Sequence, residues 1–134
     1  MIFLYHAHSG LRYLVLLIGI VAALYLAFGL LTRRAWGGPA RGLTAAFTGA
    51  LDLQLVLGIL LLFFRPFYPA LIGHIVTMLL AVAAAHGLSV AARKATDPRR
   101  QYGLALSAVV LALVLIAGGI MSIGRGVFET TVGG

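Results

Sequence analysis

Apolar residues in this chain fall into four long, nearly unbroken runs instead of the alternating or one-faced patterns of a water-soluble fold. The first extends from about Gly10 to Leu31, the second from about Leu43 to Phe64, the third from about Ala70 to Ala92 and the fourth from about Gly103 to Ile123. A helix crossing a hydrocarbon core about 30 Å thick, at about 1.5 Å per residue, needs about 20 such residues. Each run meets that length. No stretch alternates polar and apolar positions as a half-buried strand would. The breaks between runs agree. Arg33 and Arg34 precede Gly37, Gly38 and Pro39; Pro66 and Pro69 bracket Phe67 and Tyr68; Asp97-Pro98 separates Arg93 and Lys94 from Arg99 and Arg100. Glycine and proline are the strongest local helix breakers. Short connections of this kind, with no repeat or low-complexity tract, predict an all-α integral membrane protein. Residues 1–134 then form one domain, an antiparallel up-down-up-down four-helix bundle.

Composition sharpens the choice of solvent. Of the 134 residues 62% are hydrophobic and only 10% are charged, and the mean hydropathy is +1.08. A soluble domain carries about a quarter of its residues charged. So few charges cannot cover a globule in water, and the partner of the surface is a lipid bilayer. The net charge of +7 would raise nucleic-acid binding in a soluble chain. Here the basic residues sit between apolar runs, with no interleaving of basic and aromatic residues, so no nucleic-acid partner is expected. The first and third loops hold Arg33, Arg34, Arg41, Arg93, Lys94, Arg99 and Arg100, whereas the other side holds Arg65, Arg125 and, close to the start of its run, Arg12. Short loops rich in Lys and Arg stay cytoplasmic. The expectation is a multi-pass protein of the bacterial inner membrane with both termini periplasmic or extracellular. Residues 1–8 carry no Lys or Arg and are followed by no cleavage site, so the first run reads as a retained anchor and not a signal peptide. Cysteine is absent, which excludes disulfides, thiolate metal sites and covalent haem attachment.

Ionisable residues inside apolar spans are costly and invite a functional explanation. His8, Arg12, Asp52, His74 and His86 stand out, whereas His6 and Arg65 lie nearer the water. His8 and His74 both fall toward the same end of helices that run in the same direction. Two neutral imidazoles at similar depth on facing helices can hold haem iron from both sides. Helical rise puts His8 roughly 38 Å from Arg33 and His74 roughly 28 Å from Arg93, a mismatch of about two turns that tilt or unequal protrusion must absorb. Arg12 lies on the same face as His8, four residues on. It either pairs with a haem propionate or another acid, or snorkels to headgroups. Asp52 and His86 lie roughly 16 Å and 10 Å from the opposite end, within about a turn of each other, and could hold an ion, relay a proton or neutralise one another. His86 could also ligate a second haem or support the first. Gln54 is expected to hydrogen-bond a neighbouring helix, and Met78 and Met121 to lie in the core. The many intraspan glycines, among them Gly19, Gly29, Gly58 and Gly119, serve close helix packing or make room for a flat cofactor. No nucleophile motif, P-loop or carboxylate pair supports hydrolytic or phosphate chemistry, and a lone intramembrane Asp cannot build a hard-metal site.

Several segments resemble small bacterial four-helix membrane proteins known as cytochrome b-like. His6-Ala7-His8-Ser9-Gly10-Leu11-Arg12-Tyr13 is similar to their opening HxHSGLRY, the most specific part of the likeness. Asp52-Leu53-Gln54-Leu55 with Gly58, then Phe63-Phe64-Arg65-Pro66, resembles their second helix and the turn after it; Gly73-His74-Ile75-Val76-Thr77-Met78 and Ala85-His86-Gly87 resemble their third. The resemblance covers nearly the whole chain and implies haem b as cofactor and electron transfer as role. Its second helix often carries a histidine where this chain has Asp52, so the resemblance does not carry a cytoplasmic-side haem over to this chain.

The combined expectation is a haem b-binding electron carrier. It holds its iron between His8 and His74, has Arg12 and His86 as further cofactor-binding candidates, and exchanges electrons with quinol or a larger respiratory or photosynthetic complex. Two rivals stand beside it: a cofactor-free subunit of a membrane complex, with histidines in structural hydrogen bonds, and a proton or ion conductor built on Asp52 and His86.

Overall fold

The computed structural model describes residues 2–124. Four α-helices follow one another: α1 (Ile2–Leu31), α2 (Gly38–Phe64), α3 (Leu71–Lys94) and α4 (Pro98–Met121). All four are long and apolar enough to cross a membrane, and this is the helical bundle that the four apolar runs predict. Arg125 lies outside the described residues. Three helices begin well before their apolar runs, α1 at Ile2, α2 at Gly38 and α4 at Pro98. Hydropathy marks only the part of a helix that needs lipid, whereas local capping decides where the helix starts. Pro39 and Pro98 occupy first-turn positions, where a missing N–H costs nothing, and the Asp97 carboxylate accepts from the Arg99 N–H at 3.2 Å.

Arg33 adopts a left-handed conformation (φ 55°) at the end of α1, while the Arg34 N–H reaches back to the Gly29 carbonyl at 3.0 Å. That is a Schellman-type stop with arginine where glycine is usual. Tyr102 ties down the loop that follows. Its hydroxyl donates to the Ala35 carbonyl at 3.0 Å and its ring meets Trp36 edge-on at 5.2 Å. The ring also lies where a Cβ on Gly29 would stand, so glycine there is what lets α4 approach α1.

The helices form a ring in which α3 packs most extensively on α4, α1 packs on α2 and α4, and α2 meets α3 only sparingly; α1 and α3 face each other across the diagonal without backbone contact. Six of the eight buried residues of α4 (Tyr102, Ala105, Val109, Ala112, Ile116, Gly119) recur at alternating spacings of three and four, with Ala108 and Ile120 beside them, the seam of a left-handed bundle. Small residues dominate, because lipid gives no hydrophobic drive to helix association and close packing must supply it. Burial is uneven along the axis. On α2 it stops at Leu51, and on α3 it begins only at Ala81. The half of the bundle near the 97–98 turn is therefore solid, with Leu26, Phe47, Tyr102 and Val109 at its centre. The half near Arg65 is not.

Outward faces carry large apolar side chains such as Leu17, Leu24, Phe28 and Val114, each more than half exposed. Met121 belongs with them at 60% exposure, a correction to its expected place in the core. In a lipid-facing helix an apolar residue gains nothing by turning inward. Several hydroxyls bond within their own helices: Thr44, Thr77 and Ser107 each donate to the carbonyl four residues back at 2.8 Å. That satisfies them where water is absent.

Candidate functional site

The open half of the bundle encloses a cavity of about 740 Å³, lined by all four helices. This is within the range of about 300–1,000 Å³ typical of cofactor and small-molecule sites. Most of its wall is aliphatic, from residues such as Leu51, Val82, Ile116 and Ile120. His8, Arg12, Gln54 and His74 supply polar groups to the same wall.

His8 on α1 and His74 on α3 face each other across the diagonal. Their ring centroids lie 6.5 Å apart with planes at 84°. The depth mismatch expected from the basic loops is absorbed because the helices do not end level with those loops. Counted to Leu31 and Lys94, the two histidines differ by three residues, about 4.5 Å of rise.

Each imidazole is held from behind. His74 Nδ1 stands 3.0 Å from the Gly119 carbonyl. A carbonyl only accepts, so Nδ1 carries the proton and, in the neutral ring, Nε2 keeps its lone pair. The Gly119 carbonyl is available because it belongs to the last turn of α4, where no intrahelical N–H follows to claim it; the Ser122 hydroxyl shares it at 2.7 Å. His8 sits against Gly58, where a Cβ would come within 3.1 Å of its Cε1, so glycine at 58 makes the recess for this ring. One turn before Gly58, the Gln54 amide donates to the His8 backbone carbonyl at 2.6 Å. That is the cross-helix bond expected of it. His8 Nδ1 and Gln54 Oε1 are buried without hydrogen-bond partners.

Arg12 lies one turn from His8 toward the solid half of the bundle, 6% exposed. One terminal nitrogen donates to the Tyr13 hydroxyl at 2.9 Å and the guanidinium lies over that ring at 4.8 Å, while Nε is buried with no partner. Arg65, by contrast, is exposed at the cavity mouth and stacks over Tyr5 at 4.3 Å.

Asp52 and His86 meet, as their depths suggested: His86 Nε2 and Asp52 Oδ1 are 2.6 Å apart. The pair is 46% exposed on each side and lies on the outer surface of α2 and α3, not in the cavity wall. Among the described residues no cluster of three or more His, Asp or Glu could hold a metal ion by itself. What the cavity offers is a pair of imidazoles, able to take a metal whose other ligands come with a cofactor. The Gly119 carbonyl is the part that sequence reasoning missed. Its only signal was the Gly118-Gly119 pair near the end of the fourth run, at the depth where the third run begins.

No family model, curated protein or solved structure matches the chain, so the reading of the site rests on its own geometry.

Proposed function

We propose that this chain is a membrane electron carrier of the cytochrome b kind, holding one haem b in its cavity between His8 and His74. The observation that carries the reading is the imidazole spacing. Two metal–nitrogen bonds of about 2 Å each place imidazole centroids roughly 6 Å apart, and the rings stand at 6.5 Å across an open cavity. The hydrogen bond from His74 to Gly119 supports it, since metal-binding histidines usually donate their other nitrogen to a carbonyl or carboxylate. The recess that Gly58 leaves for the His8 ring fits the same reading.

A bound haem supplies one-electron exchange at its iron. His8 and His74 would be the residues that hold the iron, and the aliphatic side chains around them would exclude water from it. With an imidazole from each side, such a centre would suit outer-sphere electron transfer over oxygen chemistry. Quinol in the same bilayer or a larger membrane redox complex would be the partner. By the distribution of basic residues, the site lies near the periplasmic or extracellular face.

His8→Ala and His74→Ala test the assignment in purified protein. Each is expected to lower haem content, read as the pyridine haemochrome, by at least about tenfold, with helical circular dichroism retained. Variants that keep the haem content of the parent would contradict it.

A further inference from the structure

We infer that Arg12 is a carboxylate-binding residue, so that the cavity selects an acidic ligand whose carboxylate lies one helical turn from the histidines, toward the solid half of the bundle. Arg12 is 6% exposed, lines the cavity, and leaves Nε buried without a partner. A guanidinium stays charged at any physiological pH, and an uncompensated buried charge is strongly unfavourable. The tyrosine hydroxyl and ring that it meets are neutral and cannot balance it.

Neither acid among the described residues reaches it. Of three Asp and Glu residues, Asp97 caps α4 and Asp52 bonds His86, and Glu129 lies outside the described residues. Arg65 does not substitute for Arg12, because it is exposed to solvent at the cavity mouth. The cation that needs an anion is thus the inner one, on the same face of α1 as His8. A carboxylate fits the fork of a guanidinium with two parallel hydrogen bonds. In a cavity whose walls are mostly aliphatic, the chemistry that satisfies Arg12 is a large apolar body bearing a carboxylate. A porphyrin propionate supplies it, and so does a fatty acid. The porphyrin source rests on the haem reading above; the carboxylate itself does not.

Titration of the purified full-length chain with ferric haem and with its dimethyl ester, followed at the Soret band, tests the inference with no variant at all. A labelled fatty acid forms the third arm. The free acid is expected to bind roughly 10- to 100-fold more tightly than the diester. Arg12→Gln should abolish that preference by weakening the free acid alone, Arg12→Lys should retain part of it, and Arg65→Gln and Glu129→Gln should leave it intact. Equal affinity of the parent for acid and diester, or a preference that survives Arg12→Gln, overturns the inference. Should Arg12→Gln fail to fold, the parent comparison and Arg12→Lys decide. If neither porphyrin binds, the haem reading fails, and the fatty acid decides the carboxylate: saturable binding weakened in the Arg12 variants upholds it, and no binding overturns it.

Discussion

At the scale of single residues the cavity works by subtraction, and Gly58 is the clearest instance. A Cβ at this position would lie 3.1 Å from His8 Cε1, closer than packed carbon atoms favour. Gly58→Leu is therefore expected to push the His8 ring from its recess and lower haem content several-fold. The helices should persist, because the residues around position 58 line a cavity and not a packed seam; absorbance and circular dichroism on one sample check both. The Asp52–His86 pair should behave in the opposite way. Both side chains are half exposed and lie outside the cavity on the outer faces of their helices, where lipid makes polar groups costly and apolar ones favourable. The double change Asp52→Leu with His86→Leu is expected to leave haem content within about twofold and thermal stability unchanged or higher. Residue reading from the sequence found His8, Arg12 and His74, because an ionisable group in an apolar run is conspicuous. It could not decide which face each one presents, since runs apolar on every side carry no stripe to orient them. The cavity position of Arg12 and the outward position of His86 came only with the packed helices.

At the scale of helices, the four elements and their breaks were legible because length, hydropathy and Gly/Pro punctuation fix them independently. Their ends were not, as the start of α1 at Ile2 shows. Contacts among loop and helix residues also escaped the pattern. Tyr102 looks like an ordinary aromatic residue at the edge of a run, yet it bonds Ala35, meets Trp36 and covers Gly29. Tyr102→Phe removes one hydrogen bond, at a cost of about 1 kcal/mol. Gly29→Val forces the ring away and opens the α1–α4 contact, at a cost of about 2–3 kcal/mol by the usual scale for overpacking. Thermal unfolding in detergent should rank them in that order, with Gly29→Val showing the larger fall in Tm.

At the scale of the molecule, one end of the bundle is packed solid with small residues and the other is hollow. The solid half holds the crossing helices in place, so that the hollow half can stay open around two imidazoles. A protein whose helices only needed to span the bilayer could have continued the α4 seam of alanine and glycine along α2 and α3. Both helices abandon it at the cavity. The topology proposed from the basic loops puts this hollow end toward the periplasm or exterior. The absence of cysteine makes it directly measurable: single cysteines at Trp36 and Ala95 should react with a membrane-impermeant reagent only after cell lysis, and one at Tyr68 in intact spheroplasts.

The two-imidazole clamp is tested most directly by the haem content and spin state of the purified parent protein, expressed with sufficient haem supply. The prediction is about one haem b per chain by pyridine haemochrome, with the low-spin spectrum of iron ligated on both faces. Protein that is folded and helical but shows no Soret absorbance, even after added haem, would contradict it.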